Sequence, residues 1–275
     1  MQIRHSTHPD QLQEFDTDQL RAHYLVEDLF VAGEIKVVYT HEDRIVVGGA
    51  APVPGQALTL GSYGPLRTSS FCERRELAAL VIRGSGSVSV DGTEHKLGTR
   101  DCVYVGQGAV DVQFHAAEDD THFYLFSTPS HASFPTAVAR FDEVDVLNMG
   151  SPDTANVREI RKFVHADGIR SSQLVLGVTR LAAGSVWNTM PPHTHDRRTE
   201  CYLYFDLPAD QRVIHLCGEP QRTRNMVVRN EEVVISPSWS IHSGVGTHAY
   251  TFVWAMGGEN QAYDDMDQVA VTELR

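Results

Sequence analysis

The spacing of hydrophobic and polar positions changes period once along the chain. In residues 16–30 (DTDQLRAHYLVEDLF), Leu20, Tyr24, Leu25 and Phe30 fall at helical spacing behind Asp16 and Thr17, either of which can cap a helix start. A short amphipathic helix is predicted there, a leader packed on something larger. From about Gly33 the pattern turns to short β-prone runs broken by turns, at 35–39, 44–47, 77–82, 87–90, 102–105 and 110–114. Asp91-Gly92, between SVSV and TEHKL, marks a two-residue hairpin turn, because the favoured turn needs positive φ at both central positions. Residues 128–155 lose the alternation and collect Ser, Pro and Gly, so a connection is expected, with a domain boundary near 150. Strand-like runs resume at 173–181, 201–207, 212–217, 225–229, 233–235 and 250–256. The predicted fold class is all-β: two barrel or jelly-roll halves, residues 1–150 with the helical leader and residues 151–275.

The halves share a rhythm. Glu76, an apolar run, a hairpin and DCVYVG parallel Glu200, CYLY, a hairpin and EVVISP, which points to an internal repeat. Aligning Glu76 on Glu200 puts Ser69 and Phe71 where the second half has His193 and His195. Only the second half can then hold a histidine pair, and the first is expected to be metal-free.

Charge narrows the partners. With 36 acidic against 23 basic residues the formal charge is −13, the wrong sign for nonspecific gripping of a phosphate backbone, so no nucleic-acid partner is expected. Four cysteines without a CxxC pair read as reduced thiols. The first residues lack the basic flank and apolar stretch of a secretory leader, and no run approaches the roughly 18 apolar residues of a membrane span. A cytoplasmic protein with no membrane partner is expected. Fourteen histidines are the one outlier, and they direct attention to metal or proton chemistry.

That chemistry concentrates in GSVWNTMPPHTHDRRTE, residues 184–200. On a strand, residues two apart share a face, so His193 and His195 can present imidazoles side by side. The polar loop 196–199 can reverse the chain and bring the Glu200 carboxylate to the same centre. Some forty residues on, PSWSI leads from the apolar run 233–235 to His242. Three imidazoles and a carboxylate suit zinc, iron, manganese or nickel. This combination resembles the cupin superfamily, with two departures: eight residues separate Gly184 from His193, and Trp239 stands where cupins usually have Gly.

Longer words narrow the resemblance. WNTMPPHTHDRRTE (187–200), ISPSWSIHSGVGT (235–247), GGENQAYDDMD (257–267), DRIVVGG (43–49) and ERREL (73–77) are similar to those of the 5-keto-4-deoxyuronate isomerases, over essentially the whole chain. The resemblance implies a bicupin of bacterial pectin degradation. Its members are ketol-isomerases, intramolecular oxidoreductases that convert 4-deoxy-L-threo-5-hexosulose uronate to 3-deoxy-D-glycero-2,5-hexodiulosonate. It also implies one Zn2+ per subunit on His193, His195, Glu200 and His242, and a homohexamer. Such a reaction removes the C2 proton, passes through an enediol and returns the proton at C1, or shifts a hydride, while the oxyanion needs positive charge nearby. Four protein ligands close a tetrahedral zinc, so a catalytic role requires the coordination to expand. Glu259, Tyr263 and His248 are candidates for proton transfer. Arg197, Arg198 and Arg161 are candidates for the substrate carboxylate, and Trp239 for the pocket wall. Two rival readings use the same ligands: an iron cupin oxygenase, and a noncatalytic sugar-acid-binding cupin.

Overall fold

Strand ladders are the main regular structure in the computed structural model, which describes all 275 residues. The larger sheet of the first unit runs, in spatial order, Gln2–Arg4, Ile35–Thr40, Val46–Ala50, His122–Pro129, Arg75–Arg83, Cys102–Val105 and Ala137–Ala139. The smaller runs Leu58–Thr59, Val112–Ala116, Gly86–Val90 and Thr93–Leu97. Leu58, Val88, Val112 and Phe114 of the smaller sheet join Val46, Leu77, Val103 and Leu125 of the larger in one buried cluster, so the core lies between them. The Asp91-Gly92 turn forms as expected: Val90 pairs with Thr93, and both turn residues have positive φ.

The second unit repeats the plan. Its larger sheet runs Val146–Met149, Arg158–Val164, Val175–Leu181, Thr251–Gly258, Arg198–Phe205, Glu232–Ser236 and Leu25–Val26. Its smaller sheet runs Trp187–Asn188, Ser243–Gly246, Val213–Glu219 and Arg222–Val228. His193–Thr194 and Asp267–Gln268 form a separate two-stranded ladder. In each larger sheet the fifth strand carries the glutamate that the repeat aligns, Glu76 in one unit and Glu200 in the other.

The units are not divided by one cut at residue 150. The first consists of Met1–Arg4, Asp28–Val144 and Phe163–Leu176, and the second of His5–Glu27, Asp145–Lys162 and Gly177–Arg275. The predicted leader helix is shorter than its periodicity, Thr17–Tyr24. Asp16 caps it by accepting from the Gln19 N–H, while the Gln19 side chain accepts from the Asp16 N–H. Leu25 and Val26 leave the helix and pair with Val234 and Val233, where two apolar residues bury completely. A further helix, Pro9–Glu14, is too short for periodicity to announce. No helix is long and apolar enough to cross a membrane. The stretch 128–155 contains two edge strands rather than an open connection, because Ala137–Ala139 and Val146–Met149 take their ladder partners from Cys102–Val105 and Arg158–Val164.

Glu76 is fully buried in the first unit. It accepts from the Tyr104 hydroxyl at 2.6 Å, the Thr128 hydroxyl at 2.9 Å, and the backbone N–H groups of Ser172, Gln173 and Leu174 at 2.7, 2.9 and 2.9 Å. Five donors satisfy both carboxylate oxygens, so burial of the charge is compensated within the unit.

Gly177 is required by packing. A Cβ there would lie 2.2 Å from the Trp254 ring and 2.4 Å from the Arg161 carbonyl oxygen. Gly177→Ala is expected to destabilise the protein by about 1–3 kcal/mol, read as a lower denaturant midpoint, since backbone and indole must both shift. An unchanged midpoint would show that the strand yields freely.

Candidate metal centre

Three segments of the second unit bring the four predicted ligands together. His193 lies in the short ladder strand and His195 just beyond it, Glu200 on the strand Arg198–Phe205, and His242 in the turn that follows Glu232–Ser236. One ligand atom from each lies within 4.8 Å of all the others, and all four residues are buried. Glu200 Oε2 is 2.8 Å from the Nε2 atoms of both His195 and His242. His193 Nε2 is 3.1 Å from that of His195 and 2.9 Å from that of His242.

The outer contacts decide what this cluster can hold. His195 Nδ1 donates to the Asp265 carbonyl at 2.7 Å, and His242 Nδ1 faces the Ser240 carbonyl at 3.4 Å. A carbonyl only accepts, so the proton of each neutral ring sits on Nδ1 and its Nε2 lone pair points inward. Lone pairs of imidazole and carboxylate then converge at distances that a shared cation reconciles. The donor set fits a divalent metal with nitrogen and oxygen preference. Burial, followed by His242, pushes the His193 imidazole down to about 2, so it stays neutral and available as a donor. Burial by itself would raise the Glu200 carboxyl, but positive charge on the His242 and His195 side of it outweighs burial and holds it well below the carboxylate range.

Beside the cluster lies a cavity of about 410 Å³. His193 and Glu200 form one wall, Trp254, Phe252 and Met256 supply apolar surface, and Arg158, Tyr263 and Asp264 bring polar groups. A cluster of potential metal ligands opening on a small-molecule-sized, mostly apolar cavity with a few polar groups is the layout of a catalytic or binding site.

A sequence profile described as the KduI/IolB family matches residues 24–273. The chain belongs to this family. Among KduI/IolB relatives, it is 50% identical to the 4-deoxy-L-threo-5-hexosulose-uronate ketol-isomerase of Kineococcus radiotolerans, over the whole of both chains. It is 47% and 48% identical to proteins of the same name from Halalkalibacterium halodurans and Escherichia coli O8, again over the whole of both chains. In fold it is similar to an IolB-like protein of Salmonella typhimurium LT2, with a TM-score of 0.74, 17% identity, and 90% of this chain and 96% of that one covered. It is also similar to an oxalate decarboxylase of Lactobacillus farciminis solved with formate, with a TM-score of 0.59, 9% identity, and coverage of 83% and 80%. These neighbours agree with the all-β, cupin-like fold class.

The other residues expected to serve this KduI/IolB site fall in different places. Tyr263 lines the cavity; Glu259 and His248 are exposed and lie outside its lining. Arg197 is engaged by Asp265 and Asp267 at 2.7 and 2.9 Å. Arg198 is buried and donates to the carbonyls of Ala262, Tyr263 and Asp265, which ties down the C-terminal segment. Arg161 pairs with Glu159 at 2.9 Å, and Trp239 is half-buried away from the cavity lining. The cation that does line it, Arg158, lies three residues before Arg161. Period two separates the two: Arg158 and Ile160 share the cavity face, and Glu159 and Arg161 share the other.

Proposed function

We propose that this chain is a zinc-dependent 4-deoxy-L-threo-5-hexosulose-uronate ketol-isomerase. It acts in the cytoplasm on a sugar acid released from pectin, as a homohexamer with one Zn2+ per subunit on His193, His195, Glu200 and His242. The observation that carries this reading is the buried three-histidine, one-glutamate cluster opening on a cavity, in a chain about half identical end to end to relatives named for that reaction. When bound, the ion supplies Lewis-acid charge to the oxygens of the aldehyde and the adjacent hydroxyl.

The chain's own groups do the rest. Asp264 lines the cavity without an ion-pair partner; its carboxylate takes the C2 proton and returns it at C1, while the C2 hydroxyl proton passes to the C1 oxygen through the enediol. Burial, followed by Glu200, raises the Tyr263 phenol, so it stays protonated and donates a hydrogen bond to the developing oxyanion. Trp254, Phe252 and Met256 limit water around the enediol.

Proton NMR of the zinc-loaded protein with 5-keto-4-deoxyuronate in deuterated water tests the reading. The aldehyde signal is expected to disappear as a hydroxymethyl ketone grows, with deuterium entering at C1. Asp264→Asn is expected to slow this by roughly 100- to 10,000-fold without loss of metal. Unchanged turnover would remove Asp264 as the base. Absence of conversion by the wild-type protein would leave a noncatalytic sugar-acid binder, and oxygen consumption by the iron-loaded form would mark an oxygenase.

A further inference from the structure

The cationic side chains near the site differ in what holds them. Arg161 and Arg180 share Glu159 at 2.9 and 2.8 Å, Arg197 is held by two aspartates, and Arg198 by three carbonyls. Arg158 has no carboxylate partner. One of its terminal nitrogens donates to the Asn156 carbonyl at 3.0 Å, while the half-buried guanidinium lines the cavity that His193 and Glu200 wall on another side. Burial lowers its pKa, and no neighbouring carboxylate offsets that cost. Four residues along the same strand face, the Lys162 ammonium stands 4.9 Å from the centre of the Tyr263 ring. It forms no ion pair either. Two cations share one face of one strand without anions: Arg158 lines the cavity beside the His/Glu cluster, and Lys162 stands against the ring of Tyr263, itself part of that lining.

We propose that Arg158, assisted by Lys162, is the anchor for the substrate's carboxylate, which sets the opposite, aldehyde end of the sugar acid against the cluster of His193, His195, Glu200 and His242. The assignment rests on the ketol-isomerase reading for the identity of the substrate, and it adds the group that makes the site select acids over neutral sugars. A carboxylate offers two oxygens to the guanidinium nitrogens not used by Asn156, and the planar fork fixes direction as well as charge. A neutral aldose of the same length leaves the guanidinium unpaired and gains nothing from it. The carboxylate does not change during the reaction, so the anchor holds ground state and transition state alike and its loss falls mainly on KM.

The test compares 5-keto-4-deoxyuronate with its methyl ester on zinc-loaded wild-type protein, Arg158→Gln and Arg158→Lys. Arg158→Gln is expected to raise KM for the acid about 100-fold while kcat changes only a few-fold, with metal content unchanged. For the ester the two proteins are expected to match within about threefold, and Arg158→Lys to recover part of the loss on the acid. An unchanged KM for the acid overturns the proposal. So does an equal loss on acid and ester, because a role confined to holding Asn156 cannot tell the two apart. Should Arg158→Gln fail to fold, Arg158→Lys carries the same acid-to-ester comparison. If the wild-type protein turns over neither compound, the isomerase reading fails by itself. Calorimetry with D-galacturonate against D-galactose then still decides the anchor: a preference for the acid that Arg158→Lys weakens supports it, and equal binding of the two overturns it.

Discussion

His242→Ala is expected to abolish metal binding by the second unit and lower turnover by roughly a thousandfold or more. His242 Nε2 sits 2.8 Å from Glu200 Oε2 and 2.9 Å from His193 Nε2, so its removal opens one side of a four-donor cluster. Losing a group that merely orients a ligand costs 10- to 100-fold in metal affinity, and losing a ligand costs more. Lewis-acid stabilisation worth several kcal/mol, at about 1.4 kcal/mol per tenfold, sets the scale of the kinetic loss. Metal analysis after gel filtration, together with the isomerase assay, checks both parts. Chelated wild-type protein is expected to behave like the variant, and amide exchange in the first unit to be unchanged. Stoichiometric zinc retained by His242→Ala at wild-type affinity would sink the ligand assignment.

Glu76→Ala is expected to have the largest effect on stability, although Glu76 lies far from the cavity in the chain and is no part of the cluster. The substitution leaves three backbone N–H groups and the hydroxyls of Tyr104 and Thr128 without their acceptor inside the first unit. Each buried donor left unmade costs about 1–3 kcal/mol, so even with partial rescue by entering water the total is roughly 5 kcal/mol or more. That is comparable with the whole stability of an ordinary domain. Urea denaturation should find the first unit unfolded or loosened under conditions where the wild type is native. A midpoint within about 0.5 kcal/mol of wild type would mean that the five donors find other partners.

The two glutamates show what could be read from residues alone. Glu200 was legible because its chemistry is local: a pair of histidines two apart, a short polar loop and a returning strand leave few ways to place a carboxylate, and His242 follows a strand that pairs with it. The repeat also showed that Glu76 occupies the corresponding place. It could not show what satisfies Glu76, because the N–H donors come from about a hundred positions later, the first of them 96 residues away. The same limit applies to the edge strands in 128–155, whose ladder partners are distant, and to the division of the chain. Arg158 was missed for a different reason. Arg158 and Arg161 are an odd number of positions apart, so a strand can turn only one of them to the cavity, and alternation by itself does not say which. The ion pair of Arg161 with Glu159 settles the face, and that pair is visible only in three dimensions.

The exchange of segments also bears on how the protein is made. The first unit, begun at Met1, needs Phe163–Leu176 to complete it, and these residues follow Val144 by a further 32 positions (176 − 144). On the ribosome, a nascent chain that has released everything up to Val144 holds the Glu76 carboxylate without the N–H groups of Ser172, Gln173 and Leu174. At about 5–20 residues per second the missing segment arrives some 2–6 s later. Over that interval the emerging polypeptide presents an unfinished barrel, and its dependence on chaperones should peak there rather than at the end of synthesis.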